Sequence, residues 1–340
     1  MPRRGKHKLR PQARQVTEDE FALPPGRMTD LSVIIVTRNT RALTCAALRS
    51  VCESRDALAK EIVVVDNGST DETSQVLPRE FPQANFIRSE ANLGFARANN
   101  VGAGATTGQF LVLLNSDARL NPDALAEAVD WMRAHADCGV AGGQLLNPDG
   151  SRQNSIANLP SLATELLNKS LLRRLCPRRF PGKEQALAEP IEVESVVGAL
   201  MLIRREVWQA LGGLDERFFF FFEETDFCLQ ARKLGWKVFH LPHVQVWHEQ
   251  GGSARRMSAA ARIEYWRSRY AYFQKHRGPL ARGLLRGGLC ARLLADWLAS
   301  GLLALATLGN SPRWRQKWRV NNDLWRWHLR GCPAWMGLPR

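Results

Sequence analysis

The chain has 340 residues, 45% of them hydrophobic and 24% charged, an ordinary balance for a globular protein with a sizeable core. Its net charge of +14 sits at the two ends: residues 1–29 hold seven Lys/Arg and three acids, residues 250–340 hold seventeen and three, and residues 30–249 are net −4. A polyanion, nucleic acid or an anionic membrane surface, is therefore expected to meet the ends and not the body.

The basic tail 1–29 has no apolar run, so it is not expected to be a secretory signal and is expected to be disordered. Met28 stands just before the first apolar segment and is an alternative start. From there, short β-branched runs alternate with helix-like segments. LSVIIVT (31–37) reads as a strand buried on both faces, with a helix over 40–54 after it. EIVVVD (61–66) is a second strand, followed by the turn NGSTDET (67–73). ANFIR (84–88) is a third, shorter strand, and a helix covers 93–106. QFLVLLN (109–115) is again buried, and Asn121 with Pro122 would cap the next helix. GVAGGQLL (139–146) is a further strand. Residues 150–192 break the rhythm and read as an insertion over the sheet edge, with an amphipathic stretch at 161–175. VESVVGALMLIR (193–204) resumes the rhythm, which runs to about 253. The pattern predicts an α/β fold with a mostly parallel sheet and helices on both faces, over residues 30–257. Residues 258–340 form a basic, Trp-rich helical appendage. Its longest apolar stretch, 293–308, has sixteen residues including Asp296 and is too short for a bilayer span.

Seven cysteines at 45, 52, 138, 176, 228, 290 and 332 form no CxxC pair, so neither a disulfide frame nor a zinc site is indicated. The P-loop, the GxSxG elbow and the HExxH helix are absent. GAGATTG (102–108) has the wrong spacing for a dinucleotide loop and precedes a strand where it should follow one.

Ligands of open α/β sheets bind beyond the C-terminal strand ends. Three ends here are polar: Thr37-Arg38-Asn39, Asp66-Asn67-Gly68 and Asn115-Ser116-Asp117. Each could be a plain turn or cap. Parallel strands would bring all three to one rim. Asp117 is placed to hold a hard cation, and Asp66 to accept from a pyrimidine imide N–H. His248, after another apolar run, is either structural or a second metal ligand. The run FFFFFEETDF (218–227) sets Glu223, Glu224 and Asp226 behind five phenylalanines. These acids suit a first helical turn, but acids against an aromatic wall are also how a carboxyl is tuned as a base.

In order, SVIIVTRN, EIVVVDNGSTDET, ANLGFARANNVGAG, FLVLLNSDARLNPDAL, VVGALMLIRREVWQALGGLDERFFFFFEETDFCLQARKLGW and VWHEQGGS resemble glycosyltransferase family 2, and most closely its bacterial rhamnosyltransferase-like subgroup. The resemblance covers residues 31 to about 275. It implies a GT-A fold, a dTDP- or UDP-linked sugar donor, and inversion at the anomeric carbon. It implies that Thr37, Asn39, Asp66, Asn67, Asn92 and Asn115 serve the nucleotide, and that Asp117 and His248 hold Mg²⁺ or Mn²⁺. Glu224 falls at the catalytic base, with Glu223 and Asp226 as the alternatives. Two positions depart from the family pattern: Asn115 stands where the metal motif has its first acid, and Glu224 is one methylene longer than the usual aspartate.

The expected enzyme transfers a sugar to a hydroxyl of a cell-surface or lipid-linked glycan. It would lie in the cytoplasm, peripheral on the inner membrane, with the C-terminal segment on anionic lipid and no nucleic acid partner. The competing readings are a nucleotide-sugar-binding protein without catalysis, a glycoside hydrolase, which would need no nucleotide pocket, and a basic nucleic-acid-binding protein, for which no motif appears.

Overall fold

The computed structural model describes residues 29–176, 187–249 and 259–340. The N-terminal tail, the Gly-Gly turn after His248 and the expected boundary at 257–258 lie outside them. The chain runs β1 (Leu31–Thr37), α1 (Arg41–Cys52), β2 (Lys60–Asn67), α2 (Thr73–Glu80), β3 (Asn85–Ser89), α3 (Phe95–Gly104) and β4 (Phe110–Asn115). Then come β5 (Ala118–Leu120), α4 (Ala124–Ala134), β6 (Cys138–Leu146), β7 (Ile156–Ala157), α5 (Leu162–Leu166), α6 (Lys169–Leu175), β8 (Ile191–Glu192) and β9 (Ser195–Val196). β10 (Leu200–Arg204), α7 (Arg205–Leu211), α8 (Glu223–Lys233) and β11 (Lys237–His248) complete the α/β body, and α9 (Ala259–His276), α10 (Pro279–Ala306) and α11 (Pro312–Leu329) follow.

The main sheet has the order β3-β2-β1-β4-β10-β6-β11-β5, with β8 also on β11. β3, β2, β1 and β4 are mutually parallel, β10 runs against both β4 and β6, and β11 is parallel to β6. Alternate residues of one strand enter opposite layers. Val33 and Ile35 of β1 pack with α1 and α4, whereas Ile34 packs with α3 and other residues of the second layer. Burial on both faces explains the uninterrupted apolar runs, each such side chain contributing about 1.5–3 kcal/mol.

Three local expectations are corrected. Asn121 is not the cap of α4: its N–H is bound to Gln245 O at 3.0 Å, which keeps it extended beside β11, and Asp123 takes the cap position. The stretch 193–204 is not one strand. It breaks between β9 and β10, where Val197 N–H turns to Ser155 O and Asn115 N–H takes Ala199 O. The amphipathic stretch 161–175 is two short helices, α5 and α6.

The C-terminal helices share a core with the phenylalanine run. Phe218 and Phe222 are buried with Trp266, Tyr272, Phe273, Leu285, Leu289, Leu324 and Trp327. α10 is longer than the apolar stretch read from the sequence. Its 28 residues would extend about 42 Å, and by length and composition alone it could cross a membrane. Leu285, Leu289, Leu293 and Ser300 instead form a buried stripe against protein, and Arg282, Arg286, Arg292 and Asp296 punctuate the helix. Leu284, Leu294, Leu298, Leu302 and Leu305 stay exposed.

Candidate active site

Strand direction gathers the polar residues. β1, β2, β4, β6 and β11 all end at one edge, and the antiparallel β10 begins there. That edge therefore carries Thr37, Asp66, Asn115 and His248, and Gly198 just before β10.

At the β1–β2 end, Asp66 is 4% exposed. Its Oδ1 accepts from Ser69 N–H at 2.9 Å, while its Oδ2 is buried without a protein partner. The Nε of Arg38 is likewise buried and unpartnered. An orphaned carboxylate oxygen and an orphaned guanidinium N–H are costly unless a ligand meets them. Neighbouring residues are committed internally. Thr37 spends its hydroxyl on Thr44 and Thr40, and Asn39 at φ 53 accepts from Thr70 N–H. Asn67 donates both amide protons, to Asn92 Oδ1 and Gly94 O. Asn92 donates to Pro339 O at 2.6 Å, which ties the C-terminal segment to this loop. Gly94 sits at φ +83, and a Cβ there would meet Phe219 O at 2.5 Å, so the loop docks directly on the phenylalanine run.

Antiparallel pairing of β5 with β11 sets Ala118 opposite His248. It leaves Asp117 Oδ1 3.3 Å from His248 Nε2, both side chains less than a fifth exposed. Gln153, from the segment read as an insertion, fixes the imidazole. The two protons of its Nε2 are shared among His248 O at 2.6 Å, Asn147 Oδ1 at 2.9 Å and Leu146 O at 3.2 Å, and its Oε1 lies 3.1 Å from His248 Nδ1. Nδ1 then carries a proton, and in the neutral imidazole the Nε2 lone pair faces the Asp117 carboxylate. Two acceptors facing each other fit a cation between them. Among the described residues, no third histidine, cysteine or carboxylate joins the pair.

The acids open α8 as expected, but their surroundings separate them. Asp226 is buried against Lys275 Nζ at 2.7 Å and His276 Nε2 at 2.6 Å. Glu223 is 5% exposed with Oε2 unpartnered, and burial, together with the charge of Glu224, pushes its carboxyl well above the ordinary range. Glu224 is half-buried and lines a cavity of about 240 Å³ with Asn154, Asn158, Phe221, Thr225 and Tyr265. Burial raises its carboxyl too. Phe221 and Phe222, immediately before the acids, take φ 71 and 73, a left-handed strain of about 1–3 kcal/mol each that the aromatic core holds in place. A Cβ on Gly198 would lie 3.4 Å from Glu224 Cβ, so the break before β10 seats the acid against the rim. Gln153 and Asn154 were not singled out from the sequence, and Arg38 only as part of the first polar strand end; all three lie in irregular chain, where no periodicity marks a residue.

An α/β sheet with a carboxylate–imidazole pair and the orphaned polar atoms of Asp66 and Arg38 at one rim is consistent with the architecture of the GT-A nucleotide-sugar transferases. The mannosyltransferase PcManGT from Pyrobaculum calidifontis, solved with GDP-Man and Mn²⁺, superposes with a TM-score of 0.51 at 19% identity, over 91% of this chain and 88% of that one. Residues 32–212 match Glycosyl transferase family 2, and the chain belongs to that family. It is 30% identical over 280 residues to the N-acetylglucosaminyl-diphospho-decaprenol L-rhamnosyltransferase of Mycobacterium tuberculosis, covering 75% of this chain and 87% of that protein. The low-salt glycan biosynthesis hexosyltransferase Agl10 of Haloferax volcanii is 25% identical over 251 residues, 69% of this chain and 72% of that protein. The chain is a glycosyltransferase that uses a nucleotide sugar.

Proposed function

We propose that the protein transfers rhamnose, from a dTDP- or UDP-linked donor and with inversion, to a hydroxyl of a lipid-linked glycan precursor. The observation that carries the reading is the shared rim: an imidazole lone pair faces Asp117 at one point, and a carboxyl of raised pKa opens into a cavity nearby in the fold. Asp66 and Arg38 take the nucleotide through their unpartnered atoms, and Asn39, Asn67 and Asn92 position the loops around it. Asp117 and His248 hold a divalent ion, Mg²⁺ or Mn²⁺. When bound, that ion neutralises charge developing on the leaving diphosphate. Asn115, which cannot contribute the charge of an aspartate, leaves Asp117 as the single carboxylate of its motif. Glu224 accepts the proton of the acceptor hydroxyl as the oxygen attacks the anomeric carbon. Asp226 is spent on Lys275 and His276, and Glu223 is too deeply buried to reach the acceptor. Radiolabelled dTDP-rhamnose and UDP-sugars, each with N-acetylglucosaminyl-diphospho-prenol, test the assignment. Label should pass into the lipid phase from dTDP-rhamnose. Donor binding without transfer to any acceptor would favour a protein that only binds nucleotide sugars.

The C-terminal helices bring the enzyme to that acceptor from the cytoplasmic membrane face. The exposed leucines of α10 and the exposed arginines of α11, with the half-buried Trp314 and Trp318, suit a headgroup boundary. The chain is expected to float with anionic liposomes and to be released by high salt. Because α9–α11 share a core with Phe218 and Phe222, surface changes are a cleaner test than truncation. Leu298→Ser with Leu302→Ser and Leu305→Ser should cut the floated fraction more than about tenfold. A full-length protein that ignores anionic vesicles would end the membrane reading.

A further inference from the structure

A second cavity, of about 570 Å³, adjoins the one that holds Glu224, and the two share the wall residues Thr164, Glu165 and Tyr265. The second cavity is lined by Arg262, Arg269 and Arg292, against the acids Glu165 and Asp296. Those acids are already neutralised. Glu165 lies 2.9 Å from Arg269, with both side chains about nine-tenths buried, and Asp296 takes Lys317 at 3.0 Å. Arg269 is held further by its guanidinium over the Tyr265 ring at 4.7 Å. Among the described residues, Arg262 and Arg292 pair with no carboxylate. Among the described residues the cavity thus keeps two guanidinium charges without a carboxylate partner, set on α9 and α10. Leu289 and Leu293 of α10 and Leu324 of α11 add an apolar stretch to the wall, beside the amides Asn168 and Asn321. Beyond that wall the surface of α10 continues as Leu294, Leu298 and Leu302, all exposed.

From Glu224 outward the molecule thus presents a cavity carrying Asn154 and Asn158, then two arginines that no described carboxylate pairs, then the leucines of α10. We infer that Arg262 and Arg292 are the binding subsite for the diphosphate of a prenyl-diphosphate-linked acceptor, whose sugar reaches the Glu224 cavity and whose chain leaves along α10. Guanidinium pairs fork onto phosphate oxygens, which a single mobile lysine could not do as well. The neutralised Arg269–Glu165 pair is the rigid divider between sugar and diphosphate. The inference rests on the lipid-linked acceptor proposed above, and it assigns the residues that would recognise it.

Farnesyl diphosphate, which carries no sugar, probes the subsite without any transfer step. Calorimetric titration of the full chain should detect binding, and Arg262→Gln and Arg292→Gln should each weaken it about 10–100-fold. Farnesol, lacking the anion, should bind weakly and equally to all variants. Thermal melts of the variants should match wild type, since neither arginine supports a buried pair. In transfer assays the same variants should raise KM for the prenyl-diphosphate acceptor while kcat and donor KM hold. Failure of wild type to bind farnesyl diphosphate, or unchanged affinity in the double variant, overturns the subsite. Equal competition by inorganic pyrophosphate would reduce it to a general anion site, and equal competition by phosphatidylglycerol vesicles to a membrane contact; either also overturns it. Arginine-dependent binding without transfer to any lipid-linked acceptor would leave the subsite standing and refute the proposed reaction instead.

Discussion

Glu224→Gln is expected to keep nucleotide-sugar binding and lose turnover by about 10²–10⁴-fold, the usual contribution of a positioned base. The amide is nearly isosteric, so the packing against Gly198 survives while the proton acceptor is gone. The pH profile gives an independent check. A base works only when ionised, and burial raises the Glu224 carboxyl above its ordinary value of 4.5. The rate should therefore fall as pH drops through that raised pKa, with the acid limb displaced upward from an exposed glutamate. Burial and the Glu224 charge both oppose ionisation of Glu223, which is itself closed off from the cavity. Glu223→Gln should then retain activity within a few-fold. Asp226→Asn should act through stability, because it strips a buried carboxylate from Lys275 and His276. Single-turnover rates with saturating donor separate these outcomes. An active Glu224→Gln beside a dead but folded Glu223→Gln or Asp226→Asn would move the base to the other acid.

Asp117→Ala should lower transfer by at least about 10²-fold at unchanged melting temperature, and EDTA should do the same to the wild type, reversibly on adding Mn²⁺ or Mg²⁺. The motif supplies one carboxylate where two are usual, so no second acid can compensate. The supporting residue is Gln153, whose carbonyl fixes the His248 tautomer. Gln153→Ala should weaken metal affinity about 10–100-fold, as loss of a ligand's orienting partner does elsewhere. The midpoint of a Mn²⁺ activation curve reads this directly. Full activity in EDTA would return Asp117 and His248 to a hydrogen-bonded role between β5 and β11.

Much of this was legible in the chain itself. The runs at 31–37, 61–66 and 109–115 read as strands buried on both faces, because each is a short, nearly unbroken apolar run between turn residues. Parallel strands of that kind place their C-terminal ends on one rim, which is why Asp66, Asn115 and Asp117 could be nominated together. The acids at 223–226 suit a helix start, since a first turn favours carboxylates, and they do open α8. Tertiary structure alone decided the rest. Only the β5–β11 pairing sets His248 against Asp117, and only the fold of the 150–192 segment delivers Gln153 to the imidazole. Asp226 and Glu224 look equivalent in sequence; the arrival of α9 with Lys275 and His276 takes one of them and leaves the other facing a cavity. The two free arginines of the second cavity belong to helices that the sequence marked only as basic. Periodicity reports which face of an element is buried, a local property. Which charges find partners depends on contacts between distant segments, and that is what fixes the chemistry of this rim.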